Sequence, residues 1–554
     1  MRLKGADIVI KTLIEQGVNV VFGYPGGQII DIYDSLYKYQ DEINHILTAH
    51  EQGAAHAADG YARTTGKPGV CMATSGPGAT NLVTGIATAH LDSVPMIAIT
   101  GNVATYQIGY DSFQEIDITG ITLPITKHNY FVGDVKDLAD TIRDAFKLAV
   151  SGRPGPVLID VPRDVQQAFC EYEPKEKVVA DEKKSAKDIR IFDAAKIINE
   201  AERPYIYFGG GVLSSNAQLE MLELADKIDA PLGSSLMGIS AVPTYHPRFL
   251  GMQGMHGHYS SSMAMQNADC IISLGVRFND RATGNKDKFA KNTKVIHIDI
   301  DGSELSKTVY ETQSLRGDIK ETLKKLLPLI EKSEKPKWQK KIEELRKTEE
   351  KNMDLEEGMT PKNVLGLLNC YLGENTPVIT DVGQHQMWSA QHLVFDKPRR
   401  FISSGGLGTM GFGLGASIGA YFATSEKTVL VTGDGGFGMS LTELATAVSN
   451  NVPLVILIMN NGVLGMVRQW QTMFFDKHYS NTVLDRKTDF VGVAKSFGAD
   501  GVKVNSIKEL KIAFDKAFSE NSVFVIDAQI DKDELVLPML PPGGSMADII
   551  VKVK

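Results

Sequence analysis

Cysteine is scarce in this sequence. Cys71, Cys170, Cys270 and Cys370 are four among 554 residues, and no two stand at metal-motif spacing. That excludes a disulfide-built fold and points to a reducing compartment, the cytoplasm. Clustered metal ligands are missing too. His50 and His56 flank Glu51 but lie six apart, so on a helix turning ~100° per residue they face different ways, unlike a zinc-protease pair. Apolar runs such as 452–459 fall far short of the ~20 residues a membrane helix needs. The N-terminal stretch carries Arg2, Lys4, Asp7, Lys11 and Glu15, which is no signal peptide. There is no basic excess either. With 58 Lys and Arg against 67 Asp and Glu, the net charge is −9, and neither nucleic acid nor a polybasic membrane contact is expected.

Glycine is what the chain has in surplus. It has 52, where a usual share of ~7% would give about 39. The glycines gather at 23–27, 76–78, 209–211, 405–415 and 433–438, which reads as backbone lying against a ligand. At ~150 residues per domain the length suggests roughly three to four domains. Residues 171–190 are charged and nearly free of bulky apolar groups, a linker. Residues 331–357 carry 17 charged residues of 27, with Trp338, Ile342 and Leu345 as one thin stripe, a charged linker helix. The remaining blocks, 1–170, 191–330 and 358–554, each alternate helical patterns with short apolar runs. Those runs are 18–22, 69–73, 96–100 and 157–160; then 205–208, 270–274 and 295–299; then 377–380, 428–431, 454–459 and 523–527. The expected fold class is α/β: three doubly wound domains with parallel sheets covered on both faces.

Gly406-Leu-Gly408-Thr-Met-Gly411 matches a dinucleotide fingerprint, with Asp434 lying 23 residues on. A lone match is weak. The glycines also continue through Gly413 and Gly415, so a tight turn against a ligand or helix is the preferred reading. Gly60 to Lys67 fails as a phosphate loop, because Pro68 stands where Ser or Thr is required.

Gly433-Asp434-Gly435 follows one buried run, and Asn460-Asn461 ends the next. A carboxylate and an amide oxygen at the carboxyl ends of neighbouring strands suit Mg²⁺, which takes few protein ligands and leaves room for phosphate. Gly435 and Gly436 let backbone N–H groups approach a diphosphate. Two motifs in this order and spacing resemble the diphosphate motif of thiamine diphosphate enzymes. In that family the metal ligands are the aspartate, the second asparagine and a main-chain carbonyl two residues on, corresponding to Asp434, Asn461 and Val463. Such an enzyme also needs a carboxylate to protonate the cofactor's aminopyrimidine ring. Glu51, among the small residues of Thr48-Ala-His-Glu51-Gln-Gly-Ala-Ala-His56, fits a packed, poorly hydrated site and matches the family's activating glutamate.

Further motifs narrow the resemblance. Gly23-Tyr-Pro-Gly-Gly27, Thr74-Ser-Gly-Pro-Gly-Ala-Thr-Asn81, Asp111-Ser-Phe-Gln-Glu115, Gly254-Met-His-Gly257 and Gly275-Val-Arg-Phe-Asn-Asp-Arg281 look like the acetolactate (acetohydroxyacid) synthase catalytic-subunit family. So do Asp381-Val-Gly-Gln-His-Gln-Met-Trp388, Gly465-Met-Val-Arg-Gln-Trp-Gln471 and the tail Leu537-Pro-Met-Leu-Pro-Pro-Gly543. The resemblance implies a pyrimidine-binding, a central FAD-binding and a diphosphate-binding domain in chain order, with an active-site tail. It implies that Met410, beside Gly408, wedges the cofactor, that Gln384 and His385 contact its diphosphate, and that Gly27, Phe113 and Gln114 border the reacting centre. Met466 and Trp470 would shape the acceptor pocket, with Arg163 and Arg281 at the substrate channel. FAD without a net redox role would meet Arg153, Gly209, Gly210, Gly211, Gly254, Met255, His256, Gly275, Arg277, Asp299 and Asp318.

The implied reaction joins two 2-oxo acids. Pyruvate is decarboxylated, and its two-carbon unit passes to pyruvate or 2-oxobutanoate, the first common step of valine, leucine and isoleucine biosynthesis. The resemblance also implies that Glu51 of one subunit meets the Asp434 site of another in a homodimer or tetramer, with a small regulatory subunit as partner. Gln28, Ala104 and Arg163 depart from the family's usual residues near the channel. Rival expectations are a FAD-independent catabolic acetolactate synthase, a carboligase (which lacks the acid at Glu51), a pyruvate oxidase and, from another class, a nicotinamide oxidoreductase.

Overall fold

Met96–Asn102 (MIAITGN) and Leu454–Asn460 (LVILIMN) are apolar at nearly every position rather than at alternate ones. Such runs suit a parallel sheet buried on both faces. A computed structural model, which describes residues 1–179, 181–352 and 357–552, contains three such sheets.

The N-terminal sheet is built from β1 (Val20–Gly23), β2 (Asn44–Leu47), β3 (Gly69–Ala73), β4 (Met96–Asn102), β5 (His128–Phe131) and β6 (Pro156–Pro162). The central sheet has β7 (Pro204–Phe208), β8 (Leu232–Ser234), β9 (Phe249–Met252), β10 (Cys270–Leu274), β11 (Lys294–Asp299) and β12 (Gln313–Arg316). The C-terminal sheet has β13 (Val378–Thr380), β14 (Phe401–Ile402), β15 (Thr428–Gly433), β16 (Leu454–Asn460), β17 (Asp500–Val504) and β18 (Val523–Gln529). All three are parallel α/β sheets, as the sequence implies.

The first and third sheets share one strand order. In the N-terminal sheet it runs β2-β1-β3-β4-β6-β5, and in the C-terminal sheet β14-β13-β15-β16-β18-β17. Even a buried polar pair recurs at the same register. Thr100 lies opposite Asp160 and Asn102 donates to Asp160 at 2.6 Å; Ile458 lies opposite Asp527 and Asn460 donates to Asp527 at 2.8 Å. The central sheet differs. Its order, β9-β8-β7-β10-β11-β12, is that of dinucleotide-binding sheets, with a switch point between β7 and β10.

By contact density the described residues fall into two compact units. One comprises Met1–Asp181, Thr376–His385 and Ile402–Gln529; the other comprises Glu182–Asn375, Gln386–Phe401 and Ile530–Lys554. In the first unit a single apolar core joins Phe22, Ala54 and Leu158 to Phe412, Leu430 and Ile456. A second core, with Ile8, Ile32, Ile97 and Ile142, covers the other face of the N-terminal sheet.

Two helices meet in the shared core, α1 (Glu51–Thr65) and, after the charged helix α2 (Pro336–Asn352) of the second unit, α3 (Phe412–Thr424). A Cβ on Gly60 would collide with Ala416, one on Gly419 with the Ala57 carbonyl, and one on Gly415 would stand 2.8 Å from the Gly53 carbonyl. This corrects the reading of the glycine surplus. Part of it serves helix-to-helix approach rather than a ligand.

The second unit has its own core, with Ile206, Phe208, Ile272 and Leu323. Trp338, Ile342 and Leu345 of α2 are buried, and the Trp338 indole donates to the Pro204 carbonyl at 3.0 Å. Residues 353–356 of the charged stretch lie outside the described residues. Among those described, no helix is long and apolar enough to cross a membrane.

Candidate active site

Glu51 opens α1. His50 is the N-cap and its ring accepts from the Gln52 N–H, so the helix starts at the acid itself. Asn81 donates to Glu51 Oε2 at 2.9 Å, and a Cβ on Gly78 would lie 3.2 Å from Oε1. The motif 74–81 thus supplies both a donor and the space for this carboxylate. Residues 53–60 of α1 are buried, but Glu51 is half-buried in the single chain, less enclosed than the sequence suggested.

Around it, Thr74 accepts from Gln28 N at 3.2 Å, and a Cβ on Gly26 would collide with the Thr74 side chain. A Cβ on Gly76, at φ +61°, would press on Gln114 at 2.9 Å, and Gln114 itself has φ +63°. Left-handed backbone at a non-glycine residue costs of order 1–3 kcal/mol and persists where the surroundings enforce it. Glu115 enforces it, taking the N–H of Ser112 at 2.8 Å and that of Gly109. Phe113 is 83% exposed, and nothing stands within 4 Å of a Cβ placed on Gly27. The structure therefore gathers Gly26, Glu51 and Gln114 around the 74–78 turn, and the adjoining Gly27 and Phe113 are open in the single chain.

The second corner lies at the carboxyl ends of β15 and β16, which pair with Gly433 opposite Met459. Asp434 starts α4 (Asp434–Ser440), and burial pushes its carboxyl up to about 6, aided by the nearby charge of Asp527. A bound cation would offset that burial cost. Asn461 Nδ2 donates to Gln384 at 3.3 Å, while Asn461 Oδ1 accepts from Val463 N at 3.3 Å. Gly462 between them has φ +66° and open space beyond its Cα.

His385 is buried, and burial pushes its ring down to about 3, so it is neutral. Its Nε2 has no partner, and a Cβ on Gly433 would press on the ring at 3.0 Å. An orphaned ring nitrogen beside a glycine turn fits an anionic ligand. Met410 Cε and Leu464 converge on Gly435. Asp381 takes the N–H of Gly411 at 3.0 Å and of Gly413 at 2.9 Å, fixing the turn that presents Met410. Gln384 donates to Gln469 at 3.0 Å, anchoring α6 (Gly465–Phe474), on which Met466 and Trp470 are half-buried.

The fingerprint-like turn 406–411 follows β14, an edge strand. Its Gly405 and Gly406 donate to Asp92 of the N-terminal domain at 3.1 and 2.7 Å. It is a backbone turn held by a carboxylate, a partner the sequence reading did not name.

The remaining expected residues divide between the units. In the first, Arg163 stands 3.5 Å from Asp31, and Arg153 donates to Ser93 at 2.8 Å. Arg281 donates to the Met255 sulfur at 3.3 Å in the second. Gly209–Gly211 follow β7 and meet Gly275, which follows β10. Gly211 N donates to the Gly275 carbonyl at 3.2 Å, and a Cβ on Gly211 would stand 2.6 Å from Gly275 Cα. The approach these glycines permit includes one between two chain turns at the switch point. In the central domain Tyr207 Oη, Ser234 Oγ, Ser273 Oγ, Gln253 Oε1 and His256 Nδ1 are buried without partners, a supply of polar atoms that a bound ligand could satisfy. Gly254 has φ +118°, burial raises the Asp299 carboxyl, and Asp318 caps a helix at Glu321 N while pairing with Lys183 at 3.2 Å.

Asn81, Asp381, Asp92 and Glu443 were not assigned from the sequence. Asn81 and Asp381 lie inside recognised motifs and could have been. Asp92 and Glu443 act on backbone hundreds of residues away and have no local signal.

Family models match the three sheet regions in order: the N-terminal TPP binding domain of thiamine pyrophosphate enzymes over residues 3–121, their central domain over 191–326 and their C-terminal TPP binding domain over 381–528. An acetolactate synthase large subunit from Buchnera aphidicola subsp. Schizaphis graminum is 43% identical, covering 100% of this chain and 99% of its own length. A probable acetolactate synthase large subunit from Methanocaldococcus jannaschii is 44% identical over 100% and 96%. The isozyme 1 large subunit of Escherichia coli is 42% identical over 99% and 98%. With the TPP-binding domains present and the likeness running end to end, the chain belongs to the acetolactate synthase large-subunit family, thiamine diphosphate enzymes that form carbon–carbon bonds.

Proposed function

We propose that this chain decarboxylates pyruvate and transfers the two-carbon unit to a second pyruvate or to 2-oxobutanoate. The products are 2-acetolactate and 2-aceto-2-hydroxybutanoate, precursors of valine, leucine and isoleucine. The observation that carries this reading is the corner where Asp434 and Asn461 end neighbouring strands beside the orphaned His385 Nε2.

When bound, thiamine diphosphate supplies the carbon nucleophile and the electron sink. Asp434, Asn461 and the Val463 carbonyl would hold Mg²⁺, with His385 and Gln384 facing the diphosphate. Glu51 would hold a proton for the aminopyrimidine ring, its Oε2 fixed by Asn81. Met410 would brace the cofactor over Gly435 and Gly436. Gly27, Phe113 and Gln114 would border the reacting atoms, while Met466 and Trp470 would select the acceptor, a discrimination worth about 1–3 kcal/mol per methylene. Arg163 and Arg281 would attract the 2-oxo acid carboxylates.

FAD, without a net redox role, is proposed for the central domain. The β7–β10 switch point and the orphaned polar atoms of that domain support it. A homodimer or tetramer is proposed because Tyr106, Ile108, Tyr110 and Phe113 leave the Glu51 face apolar and exposed, as a surface awaiting a second copy would be. The relatives are named large subunits, which supports a separate small regulatory partner, and a cytoplasmic enzyme accords with the scarce cysteines.

The test is product analysis with pyruvate and 2-oxobutanoate in competition, with and without added thiamine diphosphate and Mg²⁺. Absence of both products in the loaded enzyme would refute the proposal. Flavin bleaching on anaerobic mixing with pyruvate would indicate an oxidase instead.

A further inference from the structure

We propose that Glu443 is a positioning residue for Glu51: its carboxylate, sent across from the C-terminal domain, clasps the backbone just ahead of Glu51 and sets how that side chain leaves α1. The inference rests on the reading of Glu51 as the acid that serves the aminopyrimidine ring.

Glu443 ends the short turn after α4 and precedes α5 (Leu444–Ser449). It is 2% exposed. Its Oε2 accepts from Ala49 N at 3.1 Å and from Thr446 Oγ1 at 2.6 Å, and its Oε1 accepts from His50 N at 3.0 Å. Ala49 and His50 immediately precede Glu51. The carboxylate therefore occupies the N-terminus of α1, where free N–H groups and the helix dipole favour an anion. Space for it is built in, because a Cβ on Gly53 would collide with Oε1.

Asp92 makes the counterpart contact in the other direction, accepting from Gly405 and Gly406 ahead of α3 and Met410. Each domain thus fastens two successive N–H groups in front of the other's helix. The segment from Asp434 to Glu443 also begins at one proposed cofactor contact and ends on the support of another.

A glutamine at 443 would turn an amide NH₂ toward backbone N–H donors and release the clasp. Gly53→Ala would evict the carboxylate without changing it, and alanine is the better helix former. Two readouts separate positioning from mere stability. In cofactor-free protein, amide hydrogen exchange at Ala49 and His50 should speed at least about 10-fold in Glu443→Gln and Gly53→Ala, because their acceptor is lost. In protein loaded with thiamine diphosphate and Mg²⁺, deuterium exchange at the cofactor's C2 should slow by roughly 10- to 100-fold in both, since a misplacement of ~1 Å can cost that much. Cofactor affinity should change far less. Glu51→Gln is the reference. If it loses C2 exchange while both clasp variants keep the parent rate, the inference is overturned and the reading of Glu51 stands. If Glu51→Gln itself keeps the parent rate, both are overturned.

Discussion

The N-terminal and C-terminal domains have one strand order, one matched Asn-to-Asp pair and one shared core, whereas the central domain has another order and a core of its own. In register, Thr74-Ser75-Gly76 after β3 corresponds to Gly433-Asp434-Gly435 after β15. Val103 correspondingly follows the β4 asparagine where Asn461 follows the β16 one. The same corner of the same fold thus carries the proposed metal-binding pair in one domain and a cradle for Glu51 in the other. Strand order places a site at the carboxyl ends of strands; side chains decide what it binds.

The comparison can be broken, first, at the chemistry. Glu51→Gln should retain cofactor but lose turnover by about 10²- to 10⁴-fold, the usual worth of a positioned acid. Steady-state acetolactate formation beside cofactor titration checks it, and unchanged turnover would leave the twin corners without their division of labour. The next largest effect is on the shared core. Gly419→Val forces a branched side chain into the Ala57 carbonyl and should destabilise the first unit by more than about 3 kcal/mol. Calorimetry should show its transition falling while that of the second unit stays; a parallel fall of both would mean that the cores do not act separately.

A third prediction concerns Asp160. Burial pushes its carboxyl from 3.8 up to about 7, despite the bonds from Thr100 and Asn102. Across that window the folded chain keeps a proton that the unfolded chain has released, so the contribution of Asp160 to stability falls as pH rises. At about 1.4 kcal/mol per unit over the roughly three units between pH 4 and the folded value, Asp160→Asn should gain roughly 4 kcal/mol relative to the parent on going from about pH 4 to pH 8. Urea midpoints at both pH values measure this, and no difference in slope would show that Asp160 is ionised in the fold. The smallest effect is expected in the central domain. Gly211→Ala, crowding Gly275, should weaken flavin retention about 10-fold with cofactor-dependent thiamine binding unchanged. Equal loss of both would remove the assignment of separate sites.

The buried strands were legible because burial on two faces leaves its mark on every residue. The runs 96–100, 428–431 and 454–459 lie within β4, β15 and β16. Edge strands were not legible. Asn44–Leu47, His128–Phe131, Gln313–Arg316 and Asp500–Val504 are short or mixed in polarity, because only one side is paired and part of each faces solvent. Leu232–Ser234, an interior strand, was missed because Gly233 and Ser234 leave it a single apolar side chain. The motif residues around Glu51 and Asp434 were legible as types and spacings. The clasps of Asp92 and Glu443 were not, since each depends on backbone N–H groups that any residue could provide.

By itself the sequence determined the α/β class and the family, and it supplied the residues proposed to carry the chemistry, because continuous apolar runs and motif spacing are local properties of the chain. Tertiary structure decided the rest. It showed that two domains are copies of one topology, that Gly60, Gly415 and Gly419 serve a helix seam, and that Glu51 stands on a backbone held from the far domain. Those facts depend on segments hundreds of residues apart coming into contact, and spacing along a chain carries no record of such contacts.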